Sequence, residues 1–282
     1  MSTTKSSERN LDPETVAGFG EEWGHFDQTK MSDGERARFF AAYFAVFPWQ
    51  LIGHDAEGFD LGCGSGRWAK LVSPRVGRLH CIDASARALE VARRHLSGAS
   101  NCTFWQASVD EIPLEDASQD FGYSLGVLHH VPDTQQALCH CVAKLKPGAP
   151  FLVYLYYNLD NRPAWFRGVW RVTDRVRQVV SVQPEPVKRR ITDVIAATVY
   201  WPMAKLAALL ERIGLDSEWM PLAQYRQASF YTMRTDARDR FGTRLERRFG
   251  RQEIERMMAA AGLTHIQFSE AAPYWCAVGF RG

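Results

Sequence analysis

The run Phe59-Asp60-Leu61-Gly62-Cys63-Gly64-Ser65-Gly66 constrains this chain more than any other stretch. Three glycines at alternate positions follow an apolar, β-like run and precede a helical pattern. Glycine tolerates the positive φ of a tight turn and lets another group approach the backbone closely. Such a turn, opening a helix, points free N–H groups at a ligand. The surrounding texture agrees with this reading. Short β-like runs at 58–61, 78–82, 102–106, 121–125 and 150–156 alternate with helical patterns at 67–72, 85–96 and 134–145. That alternation predicts βαβ units and a parallel sheet, and right-handed crossovers place helices on both of its faces.

The alternation stops after Tyr157. Residues 163–180 and 187–213 read as helices separated by Pro184 and Pro186, and the rhythm resumes with a helix at 251–261 that ends at Gly262. Strands at 265–269 and 274–280 are joined by a short link, so they should pair antiparallel. Ahead of the sheet, residues 1–13 read as a polar tail. Phe19, Trp23 and Phe26 are spaced to share a helix face, and Ser32 with Glu35 forms a capping box for a helix over 36–47. The expected architecture is α/β: a doubly wound, Rossmann-like sheet of seven strands, mostly parallel with an antiparallel last strand. A helical insertion lies between the fifth and sixth strands. The divisions are 1–13 (tail), 14–157 (N-terminal helices and core), 158–250 (insertion) and 251–282 (last helix and strands).

Composition narrows the class. The 282 residues are 46% apolar and 23% charged, which excludes wholesale disorder. No run approaches the roughly 20 apolar residues of a spanning helix. The polar N-terminus lacks a signal-like apolar stretch, which points to the cytoplasm. The six cysteines, at 63, 81, 102, 139, 141 and 276, then read as free thiols. Cys139-His140-Cys141 would face opposite sides of a helix, so no metal is expected. Charge is uneven: residues 161–256 hold 19 Lys and Arg against 11 Asp and Glu, a net of +8, which leaves 15 against 21, a net of −6, elsewhere. The basic segment is either a solvated helical face or a surface for an anionic ligand, a lipid or a nucleic acid.

The glycine turn departs from the dinucleotide fingerprint, which would want its third glycine at position 67, where Arg67 stands. Asp60, two residues before the first glycine, would face the ligand and suit a cationic group better than a pyrophosphate. Asp83 ends the second strand, 23 residues after Asp60, where a carboxylate suits ribose hydroxyls. It also reads as a helix cap, a role that Ser85 can take.

With these motifs stand Ser108-Val109-Asp110-Glu111-Ile112-Pro113-Leu114, Asp120-Phe121-Gly122-Tyr123-Ser124, Leu125-Gly126-Val127-Leu128-His129-His130-Val131-Pro132-Asp133 and Leu145-Lys146-Pro147-Gly148. Together they resemble class I S-adenosylmethionine-dependent methyltransferases of the small-molecule type, strongly over 57–157 and in outline over 251–282. The resemblance implies S-adenosylmethionine as cofactor and S-adenosylhomocysteine as product. It implies that Asp60, Gly62, Cys63, Gly64 and Gly66 hold the methionine end, Asp83 the ribose, and Ala84, Ser108 and Val109 the adenine. Leu125 and Gly126 would line the methionine portion, and Trp23 would belong to an aromatic lid. Ser108 stands where the family usually has an acid. His129, ahead of His130, is the candidate general base on an acceptor, with loop-orienting structure as the other reading.

The resemblance leaves the acceptor to the insertion, which would cap the site or form a homodimer face. Tyr157, Tyr225 and Arg226 are the candidate acceptor contacts. The expected reaction moves a methyl group to oxygen, nitrogen or carbon of a small molecule in a capped pocket. The alternatives are a lipid or macromolecule docked by the basic insertion, and a cofactor-binding module without turnover. No base-reading motif points to nucleic acid. The Trp and Arg pattern of the insertion also fits a membrane surface.

Overall fold

A computed structural model describes residues 9–282, and residues 1–8 of the expected tail lie outside the described residues. The seven strands run in the order β3-β2-β1-β4-β5-β7-β6. Central β1 (Glu57–Leu61) pairs in parallel with β2 (Arg78–Asp83) and with β4 (Phe121–Leu125). Outside them lie β3 (Cys102–Gln106) and β5 (Pro150–Tyr154), also parallel. The last strand, β7 (Cys276–Arg281), runs antiparallel between β5 and β6 (Leu263–Phe268). This is the expected sheet, with its antiparallel last strand and its insertion between the fifth and sixth strands.

Strand alternation builds two cores. Phe59, Leu61, Ile82, Phe151 and Val153 face one side of the sheet. There they meet α5 (Thr134–Lys144) and α10 (Arg251–Ala260) through Leu138, Val142, Ile254 and Met258. Leu79, Cys81, Phe121, Tyr123 and Leu152 face the other side. They pack on α3 (Ala69–Val72), on α4 (Ala86–His95), and on Phe40 and Phe44 at the end of α2 (Asp33–Tyr43). A parallel sheet covered on both faces needs apolar residues at nearly every position, and β4 is buried throughout.

Between β1 and β4 the strand order reverses. That switch point opens a crevice at the carboxyl ends of the strands, where ligands of such sheets bind. The glycine turn after Leu61 and Gly126 after Leu125 flank it.

The insertion is helical. It comprises α6 (Ala164–Ser181), α7 (Glu185–Ile195), α8 (Trp201–Arg212) and α9 (Phe230–Gly242). A π-helical turn at Ala196–Tyr200 joins α7 to α8 as one 28-residue helix, Glu185–Arg212, long and apolar enough by composition to cross a bilayer. Sequence reading found no such segment, because polar residues interrupt the run. The wide turn lies just before Pro202, which has no N–H to give the preceding turn and crowds its carbonyl. Val180, Ala196, Tyr200, Ala204, Met233, Ala237 and Phe241 form a separate small core.

Several boundaries moved. The expected strand to 156 ends at Tyr154, and the chain beyond pairs with Phe249 through Tyr156 O and Asn158 N. The expected helix over 36–47 stops at Tyr43; beyond it Phe44, Phe47 and Trp49 cluster on either side of Pro48 in the chain. The capping box is only half made. Ser32 accepts from the Glu35 N–H, but the Glu35 carboxylate accepts from Ser229 N and Thr232 Oγ1, both at 2.8 Å, tying α2 to α9.

Candidate active site

A cavity of about 600 Å3 occupies the switch-point crevice and runs on into the insertion. Its floor is the turn Gly62–Ser65. Gly62 and Gly64 have φ of +75° and +55°, a left-handed conformation that only glycine adopts without strain. The N–H groups of Gly62 and Cys63 donate to Ile82 O at 2.7 and 3.0 Å, which clamps the turn onto β2. Trp23, on α1 (Pro13–His25), lies over it; a Cβ on Gly64 would come within 3.0 Å of the indole.

Asp83 carries the geometry of the second wall. Its Oδ2 accepts from Gly64 N at 2.9 Å and its Oδ1 from Ser85 N at 2.8 Å. Ser85 caps α4 by accepting from Ala88 N, so the cap falls to Ser85 while the Asp83 carboxylate borders the cavity. Each carboxylate oxygen keeps a lone pair for a further donor. Burial pushes the Asp83 carboxyl up, against the two N–H donors that favour its charge.

Ala84, Ser108 and Val109 continue the wall. The Ser108 hydroxyl donates to Asp110, an acid two residues on. That fixes the hydroxyl proton and leaves the oxygen lone pairs as acceptors. Asp110 in turn accepts from Asn10 N, and Asn10 bridges to Asp133 through its side chain. The end of the expected tail therefore docks beside this wall. At the far side, Leu125 and Gly126 border the cavity; a Cβ on Gly126 would meet nothing within 4 Å, so the backbone itself is the wall there. These residues fit the expected cofactor: an acceptor pair for ribose, an apolar slot for adenine, and glycine backbone for the amino-acid end.

Four residues expected at the ligand lie elsewhere. Asp60 is sealed inside the sheet beside Tyr123 and Cys81, 1% exposed. It lies inside β1, on the sheet face covered by α3 and α4, and the crevice opens only beyond the strand's end at Leu61. Burial pushes the Asp60 carboxyl up to about 8, opposed by the Tyr123 hydroxyl and reinforced by Asp83. Gly66 sits behind the turn against Ala92 and Leu96. His129 is fully buried with both ring nitrogens unpartnered, stacked 3.9 Å from Tyr156. Burial, then His130 and Arg248, hold it well below the usual imidazole range. Arg226 turns outward to Glu211 and Glu218. His130, ranked second by sequence, is the histidine on the cavity; its Nδ1 lies 2.6 Å from Leu245 O, and its Nε2 has no partner.

The insertion supplies the rest of the lining. Tyr157 and Tyr225 are there as expected, joined by Trp170, Tyr200 and Arg240. Two α9 carboxylates were not legible in the sequence. Asp239 accepts from the Tyr156 hydroxyl, and its other oxygen is buried without a partner. Asp236 lies against the Tyr225 hydroxyl, and burial pushes it up to about 6. Glu22 of α1 completes an acidic rim; burial, then Asp239, push it well up. The only available signal was helical spacing, 236 and 239 on one face of α9.

Comparison with known proteins agrees with this geometry. Residues 59–153 match the methyltransferase domain family. A ubiquinone biosynthesis O-methyltransferase from Idiomarina loihiensis is 28% identical over 60% of this chain and 70% of its own length. A demethylmenaquinone methyltransferase from Tropheryma whipplei is 26% identical over 59% and 70%. The fold of an S-adenosylmethionine-dependent methyltransferase from Aquifex aeolicus superimposes with a TM-score of 0.51 at 12% identity, covering 91% of this chain and 96% of that one. Glycine turn, strand order and sequence likeness converge: residues 59–153 form a methyltransferase domain, and the chain has the class I fold of S-adenosylmethionine-dependent methyltransferases.

Proposed function

We propose that this enzyme methylates a hydroxyl oxygen of an apolar, aromatic small molecule. The observation that carries the reading is the continuity of one cavity: it joins the glycine turn and Asp83 to a chamber walled by Tyr157, Trp170, Tyr200 and Tyr225 and floored by Asp236 and Asp239. Aromatic walls select a flat, apolar acceptor. A carboxylate poised near neutrality can take the hydroxyl proton as the new C–O bond forms. The curated relatives named for quinone biosynthesis support an acceptor of this class.

In this reading the cofactor supplies the electrophilic methyl group. Asp83 binds its ribose hydroxyls, Ala84, Ser108 and Val109 enclose the adenine, and Gly62, Cys63, Gly64, Leu125 and Gly126 enclose the methionine portion. Trp23 closes over the turn. The insertion is a cap that excludes water and aligns the acceptor, and alignment alone contributes several kcal/mol. Asp236 or Asp239 takes the proton, and His130, whose ring lies 5.6 Å from that of Tyr156, is a second candidate.

The test is a transfer assay with S-adenosylmethionine and a panel of short-chain hydroquinones, catechols and aromatic amines, read as thioether release and product mass. Methylated phenols are the expected products. Methylation of amines alone would reassign the carboxylates to binding an ammonium group. Cofactor binding with no product in the panel would sink the phenol reading.

A further inference from the structure

Seventeen large apolar side chains are exposed among the described residues, and all but Leu51 lie within 165–230. On α6, Trp165, Val169, Val172, Val176 and Val179 are 43–64% exposed. They recur every three or four residues, so they form one stripe. The long helix adds Val194, Val199, Trp201, Leu206 and Leu209, at 46–59%. A contiguous apolar area of this kind marks an interaction surface rather than ordinary solvated protein.

Three of these side chains do double duty. Val169, Val176 and Val199 are exposed and also line the active-site cavity. They form a rim through which the chamber opens onto the apolar face. A protein seated there would cover the opening, whereas a lipid phase would extend the chamber's own apolar environment.

Charge favours an anionic lipid. Residues 164–212 contain nine Lys and Arg against four Asp and Glu. Arg171 and Arg175 are exposed beside the α6 stripe, with no carboxylate within 4 Å among the described residues. Trp165 and Trp219 meet edge-on at 6.4 Å, and both are about half exposed. Tryptophan prefers the boundary between headgroups and acyl chains, and exposed Lys and Arg near it are drawn to anionic headgroups. The 28-residue helix cannot span a bilayer in this fold, because Ala196, Tyr200 and Ala204 are packed on Met233 and Ala237. Only its outer face is free, which is the arrangement of a helix lying in the interface.

We infer that the α6–α8 face docks on an anionic lipid surface, and that an acceptor dissolved in the bilayer enters the chamber past Val169, Val176 and Val199. The entry route rests on the apolar-acceptor reading above; the docking does not.

The experiment is co-sedimentation of the full chain with phosphatidylcholine vesicles, with and without about 30 mol% phosphatidylglycerol. Binding is expected to the anionic vesicles, weaker to the neutral ones, and to fall with added salt. The pair Val172→Glu and Val179→Glu, which lies outside the cavity wall, should weaken vesicle binding about tenfold or more. Its affinity for S-adenosylhomocysteine should not change, which shows that the variant is folded. The pair Arg171→Glu and Arg175→Glu should remove the preference for anionic lipid. Absence of binding to either vesicle, or binding indifferent to both pairs, would overturn the inference. So would a dimer in light scattering that the valine pair dissociates, which would make this face a contact between two copies. Vesicle binding by a protein that methylates no phenol would leave the docking standing and remove the acceptor.

Discussion

The Oδ2 of Asp83 accepts the backbone N–H of Gly64 at 2.9 Å, so the residue expected to read the ribose also holds the glycine turn in shape. Both of its oxygens accept from N–H groups, the second from Ser85. Asp83→Ala should therefore weaken S-adenosylhomocysteine binding by about 1–3 kcal/mol. Asp83→Asn should be nearly as harmful, because its amide would present a donor to one of two backbone donors. Calorimetry on both variants checks this; an asparagine variant with native affinity would confine Asp83 to a minor role.

The two adjacent histidines should behave oppositely. His129 is sealed, unpartnered and stacked on Tyr156. His129→Phe keeps the aromatic contact and removes an unpaired polar ring, so thermal stability should hold or rise and transfer should persist. His129→Ala should lose about 2–4 kcal/mol of stability through the cavity it leaves. His130→Ala should lower turnover with little change in cofactor affinity. If instead His129→Phe folds, binds cofactor and transfers nothing, His129 is the acid–base group after all.

Asp236 gives the pH dependence of transfer a sign. Burial pushes it up to about 6, so it is protonated below that pH and able to accept a proton above it. Turnover should climb as pH rises through about 6. Asp236→Asn should flatten that limb and cost ~10²–10⁴ in turnover if this is the base. The same profile taken on Asp239→Asn assigns the limb to one carboxylate or the other.

Asp60 gives the pH dependence of stability the opposite sense. Its folded value is about 8, against about 3.9 in an unfolded chain. Between those values the folded protein holds a proton that the unfolded chain has released, so stability falls as pH rises through that window. Thermal midpoints of the cofactor-free protein should decline from pH 5 toward pH 8, and those of Asp60→Asn should decline less. Parallel curves would show that Asp60 is ionised in the fold at little cost.

The sequence by itself determined the sheet, because period-two apolar runs, glycine punctuation and βαβ spacing are local signals that tertiary packing reinforces here rather than opposes. It determined the corner at Asp83, since a carboxylate ending β2 has few other places to point. Tertiary structure decided what depends on distant partners. Asp60 and Cys63 are three residues apart and pack on the same side of the sheet, yet only Cys63 lines the cavity, because Asp60 is still inside β1, sealed beside Tyr123, while Cys63 belongs to the glycine turn that follows the strand. Glu35 looked like half of a local capping box and instead binds Ser229 and Thr232, nearly 200 residues away. For the same reason, excising 160–240 would take partners from the N-terminal helices as well as the cap. Asp236 and Asp239 carry no local motif, and their place opposite the glycine turn exists only once α9 folds against α1. Spacing along one chain reports which face a residue shares, and the identity of the element across from that face is settled only when the chain closes on itself.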